Sequence, residues 1–196
     1  MTYRLVVILL LGTALLGCTS TKQTLPARSA TEQLLISGAA DAAARKLTLE
    51  LPADTRVWLQ TSRFKDGDGQ YAVGAIRQHL LEQDLRMARS ADSADVIVEV
   101  RAGALSIDER RTLFGTPSIE VPVPFATAPE LPELPLFKKE QQEGVAKIAA
   151  FAYDADDGAL IASTDPTFGF SNLTRWRVLL FVSWTTSDLI PAGARD

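Results

Sequence analysis

The sequence predicts an α/β domain with a mixed sheet of about five or six strands and two main amphipathic helices packed on it. Three observations predict this class. Two long segments, residues 29–47 and 71–88, repeat apolar side chains at helical spacing. Several shorter segments alternate apolar and polar residues, as half-buried strands do. A strand, the second helix and another strand follow one another with short joins, which favours a right-handed crossover and a parallel pair.

Residues 1–17 have the pattern of an export signal, and we expect them to be removed from the mature domain. Arg4 gives the segment a basic start, and residues 5–16 form an apolar run. A helix of that length rises only about 18 Å, which is well short of a bilayer core of roughly 30 Å. A short apolar run behind a basic start is typical of a secretory signal.

The run ends in Leu15-Leu16-Gly17-Cys18, which resembles the lipobox of bacterial envelope lipoproteins. In that family the signal peptidase needs a small residue before the cut, and the thiol of the next cysteine accepts a diacylglyceryl group. The resemblance implies recognition through Leu15 and Gly17, cleavage before Cys18 and lipid attachment at Cys18, the only cysteine of the chain. Leu16 departs from the pattern, in which Ala, Ser or Thr is commoner. The alternatives are an uncleaved membrane anchor and a simple export signal with an incidental cysteine.

Residues 18–28 are polar and lack periodicity, so we expect a flexible tether between the lipid and the domain. Thr19 stands where Asp often signals inner-membrane retention, so the resemblance implies the outer membrane, with the domain facing the periplasm. The net charge of −4 becomes −5 when Arg4 is removed with the signal. An acidic chain has no general attraction to nucleic acid, so no nucleic-acid partner is expected.

A single domain is expected over residues 29–190, followed by a tail at residues 191–196. Its first helix begins at a capping box of Ser29 and Glu32 and runs to about residue 47. The apolar face of this helix consists of Leu35, Ile36, Ala39, Ala40, Ala43 and Leu47. Residues 55–61 alternate as the first strand, and a turn at residues 66–69 precedes the second helix. The buried side of that helix is expected to carry Val73, Ile76, Leu80 and Met87.

The next strand is expected at residues 94–100, with Val96, Val98, Val100 and Ala102 on one side. Residues 114–136 then contain six prolines and cannot form a central strand, because proline donates no ladder hydrogen bond. Apolar residues do alternate there, at Ile119, Val121, Val123 and Phe125. A surface loop is the simpler interpretation, and an arm that docks a partner or another copy of the chain is the alternative.

The last third of the sequence predicts an antiparallel sheet. Residues 143–153 form a strand with Ala146, Ile148, Ala150 and Ala152 on one face. The Asp-rich turn at residues 154–158 ends in Asp-Gly, a strong hairpin signal, and residues 159–164 return. Residues 176–184, rich in Val, Phe and Trp, are expected to form one terminal strand.

This order of elements resembles the periplasmic α/β domains of the curli secretion lipoprotein and of the lipoprotein activators of penicillin-binding proteins. The matching features are a helix, Ala94-Asp95 before a strand, the strand at residues 145–154, the turn through Gly158 and the return at residues 159–163. The likeness covers residues 31–165 in outline, and the chain equally resembles bacterial lipoprotein families of unknown function. It implies the fold and the envelope compartment. No counterpart of the curli channel's membrane-spanning hairpins is found, so no pore is implied.

Four patterns suggest chemistry, and each has a simpler interpretation. Gly67-x-Gly69-x-x-Ala72 matches a dinucleotide-binding motif, but Asp66 and Asp68 would repel a pyrophosphate, so a turn with helix-capping acids is favoured. Three acids in the turn at residues 154–158 could bind Ca²⁺, yet the downstream carboxylate of an EF-hand is missing, so a hydrated turn is favoured. Arg175-Trp176-Arg177 could stack on sugars or bases, but solvated edges of the final strand are the simpler interpretation.

His79, the only histidine, is the fourth. Its helical phase puts it away from Val73, Ile76 and Leu80, so it is expected to be exposed. With one His and no free Cys, a zinc centre, a Ser-His-Asp triad and a cysteine protease each lack a part. We therefore expect no enzyme, no catalytic residues, no cofactor and no metal. The expected function is that of a lipid-anchored module of the cell envelope, which binds other envelope proteins or itself in assembly or maintenance. The alternative is a module that binds a lipid or other apolar small molecule between the helices and the sheet.

Overall fold

The computed structural model describes residues 28–62, 64, 69–120 and 130–189. The expected signal peptide, the lipobox with Cys18, the tether up to residue 27 and the tail at residues 191–196 lie outside these residues. Residues 66–68 of the expected turn, residues 121–129 of the proline-rich segment and residue 190 of the expected domain lie outside them as well.

The described residues form two α-helices, α1 (Ala30–Ala44) and α2 (Gly69–Glu82), and a short 3₁₀ turn at Ala91–Ser93. Nine strands accompany them: β1 (Arg56–Gln60), β2 (Arg86–Met87), β3 (Val96–Thr116), β4 (Ile119–Glu120), β5 (Glu130–Leu131), β6 (Leu134–Asp154), β7 (Leu160–Ser163), β8 (Thr167–Val178) and β9 (Val182–Ser187).

Seven of the strands form one sheet in the order β2-β1-β3-β6-β8-β9, in which β7 also pairs with β6. The strands β4 and β5 pair separately. β1 runs parallel to β2 and β3, and the remaining pairs of the large sheet are antiparallel. The mixed α/β class and the parallel pair joined through α2 are therefore confirmed, whereas the sheet has more strands than the five or six expected.

The capping box at the start of α1 is confirmed. The backbone N–H of Ser29 donates to Glu32 Oε2 at 2.5 Å, and the backbone N–H of Glu32 donates to Ser29 Oγ at 3.3 Å. The first of these hydrogen bonds holds the pKa of Glu32 below its ordinary value. The helix ends at Ala44 and not near residue 47, although Leu47 is still buried in the core.

Small residues let α1 lie directly on the sheet. Its apolar face includes Ala39, Ala40, Ala43 and Ala44, all buried. On the opposing strands, a Cβ atom at Gly144 or Gly169 would meet the α1 backbone within 3.0 Å. Ser171 on β8 donates a buried hydrogen bond from Oγ to the carbonyl oxygen of Leu35 at 2.5 Å. The expected inward face of β6, Ala146, Ile148, Ala150 and Ala152, is also confirmed as buried.

The second helix is shorter than predicted. It ends at Glu82, and Asp84 then takes a left-handed conformation with φ of 60°. Met87 belongs to β2 and not to the helix, so its expected place on the helical face is wrong. The predicted face continued past the true end because no glycine marks it.

The strands β3 and β6 form a long antiparallel hairpin, from Val96 opposite Asp154 to Thr116 opposite Leu134. Val96, Val98 and Val100 are buried as expected, but Ala102 is exposed although it lies opposite buried Ile148, and a register shift between Ala102 and Ala104 follows it. Both ends of the segment at residues 114–136 belong to this hairpin, so the interpretation of that whole segment as a loop or arm is wrong. Within the segment, β4 and β5 form a short antiparallel pair, with Ile119 opposite Leu131.

The single terminal strand expected at residues 176–184 is wrong. Instead β8 ends at Val178, a turn follows at residues 179–181, and β9 returns alongside β8 with Val178 opposite Val182. The predicted return strand after the Asp-rich turn is confirmed as β7.

Candidate functional site

One end of the sheet extends beyond the helices. The contacts of α1 with β6 and β8 include Gly144, Gly169 and Ser171. Past them lie residues 104–116 of β3, 134–143 of β6, 174–178 of β8 and the whole of β9, which we call the distal sheet. These described residues are exposed or half-buried, apart from Pro135. The distal sheet therefore contributes surface and little core.

Large apolar side chains concentrate at the far end of the distal sheet. Phe114 is 68% exposed, and Phe181, in the turn after β8, is 88% exposed. The neighbouring exposed residues are Ile119, Leu134, Leu136, Leu179, Leu180, Val182 and Trp184. The strand register brings them together, because Phe114 lies opposite Phe137, and Phe137 lies opposite Val178. Single exposed apolar residues are common, but a contiguous group of this kind marks a surface that contacts another molecule.

The turn between β8 and β9 has an unusual backbone. Leu179 and Leu180 have φ of 48° and 64°, in the left-handed region that Gly and Asn occupy most easily. The backbone N–H of Leu179 donates to the carbonyl oxygen of Leu136 at 3.0 Å, which attaches the turn to β6. We call residues 179–182 the apolar turn.

Aromatic rings line the face of the distal sheet that points away from the helices. Trp176 on β8 stacks on Trp184 of β9, with ring centroids 5.9 Å apart and an angle of 9° between the planes. The ring of Phe137 meets Trp176 edge-on at 6.0 Å, and Lys139 Nζ lies 4.9 Å from the Trp176 ring. These groups offer apolar area together with a cation, a combination enriched at binding surfaces.

Charged residues line the opposite face. Lys138 Nζ lies 3.1 Å from Glu133 Oε1 and 2.6 Å from Glu140 Oε1, and Arg111 pairs with Glu133. The hydrogen bond from Lys138 keeps the pKa of Glu140 below its ordinary value, so this carboxylate is ionised at neutral pH. A shallow groove of about 210 Å³ lies between these residues, Arg175 and β9.

This arrangement is suited to binding more than to proton transfer. The carboxylates next to the groove are ionised or held in ion pairs. Within the described residues, no buried side-chain nitrogen or oxygen lacks a hydrogen-bond partner. The same part of the chain contains no group of three or more His, Cys, Asp or Glu side chains placed to hold a metal ion.

The comparison with protein families gives one match, to a family of unknown function, DUF6655, over residues 12–163. The chain belongs to this family. The match includes residues Leu15 to Cys18, which resemble a lipobox, and most of the α/β domain, whereas β8 and β9 follow its end. No curated protein matches the chain. In the described ranges of this DUF6655 chain, no helix is both long enough and apolar enough to cross a bilayer.

The site residues expected from the sequence have different outcomes in this family member. Leu15, Gly17 and Cys18 lie outside the described residues. Of the dinucleotide-like motif, Gly69 is the first residue of α2, Ala72 is buried in it, and residues 65–68 lie outside the described residues.

The Asp-rich segment is a hydrogen-bonded turn. Asp154 Oδ1 accepts from the backbone N–H groups of Asp156 and Asp157, at 2.9 and 3.3 Å, and Asp157 Oδ1 accepts from that of Ala159. The carboxylates thus replace missing backbone acceptors in the turn, as the simpler interpretation expected.

The helical phase predicted an exposed His79, but most of this side chain is covered. Its side chain is 18% exposed, because α1 packs beside α2 and covers this position, and its Nδ1 lies 3.4 Å from Glu82 Oε2. A polar groove of about 200 Å³ between the two helices includes His79, Tyr71 and Asp41. Burial is the main reason that the pKa of Tyr71 is raised, and its hydroxyl donates to Asp41 Oδ2 at 3.1 Å.

Arg175 and Arg177 are exposed, as the simpler interpretation expected, but their strand β8 is not the final one. β8 is an internal strand between β6 and β9, so Trp176 has an aromatic neighbour on each side. Sequence reasoning missed Phe114, Phe137 and Trp184 as parts of the same surface. The alternation of Phe137 and Lys139 with Lys138 and Glu140 was a signal that could have indicated a two-faced strand.

Proposed function

We propose that this chain is a lipid-anchored module of the bacterial cell envelope, without enzymatic activity, which binds another envelope protein or a second copy of itself through its distal sheet. The observation that carries the proposal is the group of exposed apolar side chains at the end of strands that reach past the helices, among which Phe114 is 68% exposed. Exposed apolar surface is unfavourable in water, and it is retained where a partner covers it.

The anchor in this proposal is Cys18. Leu15 and Gly17 precede it as in a lipobox, and no other cysteine competes for the modification. The family match begins at residue 12 and therefore includes this segment. Thr19 after the cysteine favours the outer membrane, with the domain on the periplasmic side.

The binding surface has features of protein interfaces. Its apolar centre, formed by the rings of Phe137, Trp176 and Trp184, lies beside Lys139 and is continuous with exposed Phe114. Aromatic residues with neighbouring cations are enriched at interface centres, and the charged residues of the other face would form a polar rim. The paired charges add specificity more than affinity.

Close packing argues against the alternative, an apolar small molecule held between the helices and the sheet. The backbone of α1 lies in contact with β6 at Gly144 and with β8 at Gly169. These contacts leave no space for a ligand there, so the interaction module is the better supported function.

The test is site-specific photocrosslinking in intact cells. A photoreactive phenylalanine analogue at Phe114 should crosslink to a discrete partner or to a second copy of the chain. The matched control is Leu160, which is also 68% exposed but lies on β7, away from the distal sheet. The same crosslinked products from both positions, or none from Phe114, would overturn the assignment of the binding surface.

A further inference from the structure

We propose that the apolar turn, residues 179–182, inserts into the surface of the membrane that holds the lipid anchor. This inference rests on the proposed anchoring at Cys18 and adds a second point of contact with the bilayer. The turn is the outermost part of the β8–β9 hairpin, and its four side chains, Leu179, Leu180, Phe181 and Val182, are all exposed.

The backbone conformation of the turn indicates that the fold does not require these apolar side chains. Two successive residues with positive φ are accommodated best by Asn and Gly, and leucine is strained there. A sequence selected for stability alone would carry those residues at Leu179 and Leu180. Strain retained at an exposed position indicates that the apolar side chains themselves are used.

The residues behind the turn match a membrane interface. Trp184 and Trp176 lie two register positions from Val182 and Val178, at the depth where tryptophan is enriched between water and lipid tails. This end of the sheet has five basic side chains, Lys138, Lys139, Arg111, Arg175 and Arg177, against two acids, Glu133 and Glu140, which form ion pairs with Lys138. Basic and aromatic residues around an apolar tip favour contact with anionic head groups.

The direction of α1 brings the anchor to the same end of the molecule. Leu35 lies beside Ser171, and further along the helix Ala39 and Ala43 lie beside Gly169, so α1 runs antiparallel to β8. The start of α1 therefore points toward the Val178 end of β8, where the apolar turn begins.

The tether is long enough for both contacts. The distance along β8 from Ser171 to Val178 is about 23 Å. The helix extends about 7 Å in the same direction from Leu35 back to Ala30, and the tether must span the remainder. The segment from Cys18 to Ser29 can span at most about 36 Å. The lipid on Cys18 and the apolar turn can thus reach one bilayer surface at the same time.

A lipid surface fits this turn better than a protein partner does. A stable protein interface buries about 800 Å² on each side, which a four-residue turn cannot supply alone. Insertion into lipid needs no complementary pocket and gains from each apolar group removed from water. Phe114 lies on β3, which β6 separates from β8, and this side of the distal sheet is the part left to a protein.

A fluorescence experiment on the full lipidated chain tests the insertion. With Cys18 acylated, Phe181→Cys supplies the only free thiol, which is labelled with an environment-sensitive dye. In vesicles of phosphatidylethanolamine and phosphatidylglycerol, we expect a blue-shifted emission that nitroxide-labelled lipids quench. The same label at Leu160→Cys, which is also exposed but lies on β7, should keep the emission of the dye in water.

A second variant separates insertion from folding. Leu179→Asn with Leu180→Gly suits the backbone and preserves the hairpin, yet it should remove the lipid quenching of the label at residue 181. Emission typical of water at residue 181 in the chain without these two substitutions, or unchanged quenching with them, would overturn the insertion. Missing acylation at Cys18 would overturn both proposals. Normal acylation and crosslinking from Phe114, with no quenching at residue 181, would overturn the insertion alone.

Discussion

Replacing Gly144 with alanine should separate α1 from the sheet and destabilise the whole domain. A Cβ atom at this position would lie 2.5 Å from Ser171 Oγ, whereas ordinary contact begins at 3.4 Å, so the hydroxyl would have to retreat by about 0.9 Å. The carbonyl oxygen of Leu35 would overlap the new atom as well. Because these two oxygens are joined by a buried hydrogen bond, neither can move alone.

The expected loss of stability follows from these two effects. Overpacking in a rigid site costs about 1–3 kcal/mol, and here the upper end applies because one overlapping group is helix backbone. Weakening the buried hydrogen bond between Ser171 and Leu35 adds about 1 kcal/mol. A total of about 4 kcal/mol corresponds to a fall in Tm of about 8–16 °C for a domain of this size.

Denaturant unfolding followed by circular dichroism, on the full chain in detergent, measures this difference. Gly74→Ala is the matched control, since Gly74 is exposed on α2 and an added Cβ would have no neighbour within 4 Å. That control should raise stability by about 0.5–1 kcal/mol, because alanine favours the helix. If Gly144→Ala unfolds at the same denaturant concentration as the parent chain, α1 does not pack on the sheet in the way described.

Three further predictions concern the anchor, the turn and the helix cap. Cys18→Ser should abolish incorporation of labelled fatty acid and leave a precursor of higher mass; normal labelling would remove the basis for the anchor. Leu179→Asn with Leu180→Gly should raise the free energy of unfolding by about 1–3 kcal/mol in denaturant titrations, since it relieves two strained residues, and a loss of stability would contradict the strain. Glu32→Gln should destabilise the domain above pH 4.5, the ordinary pKa of Glu32, and the difference should vanish as the pH falls through the lower pKa of the folded state. Unfolding curves of both chains at pH 7 and at acid pH measure this difference in stability. An equal difference at every pH would show that the cap does not depend on the charge of Glu32.

The half of the fold that buries a core was predictable from sequence. Val96, Val98 and Val100 recur at every second position, as do the inward residues of β6, because one side of each strand faces α1 and α2. The capping box at Ser29 marked the first helix for an equally local reason. In these places the signal lies within a few residues of the chain, and the structure agrees.

The distal sheet gave no such signal. Both of its faces reach solvent, so residues such as Asp108, Arg110 and Arg111 occupy a strand without an alternating apolar pattern. Leu179 and Leu180 form a turn without Gly, Asn or Pro, and the two strands on either side were therefore taken as one. A turn that lacks the residues usual in turns cannot be predicted from the presence of those residues.

The surface itself depends on register, which no local pattern encodes. Phe114, Phe137, Trp176 and Trp184 come from four strands and meet only because β3, β6, β8 and β9 pair in the observed alignment. That alignment is fixed at the other end of the sheet, where Gly144 must lie under α1 and the alanines of β6 must face the core. A shift of one residue would turn every side chain of a strand to the opposite face. The packed half of the domain thus sets the position of the exposed half. The residues of the distal sheet can change with a partner, while α1 and the two glycines beneath it, Gly144 and Gly169, hold the fold.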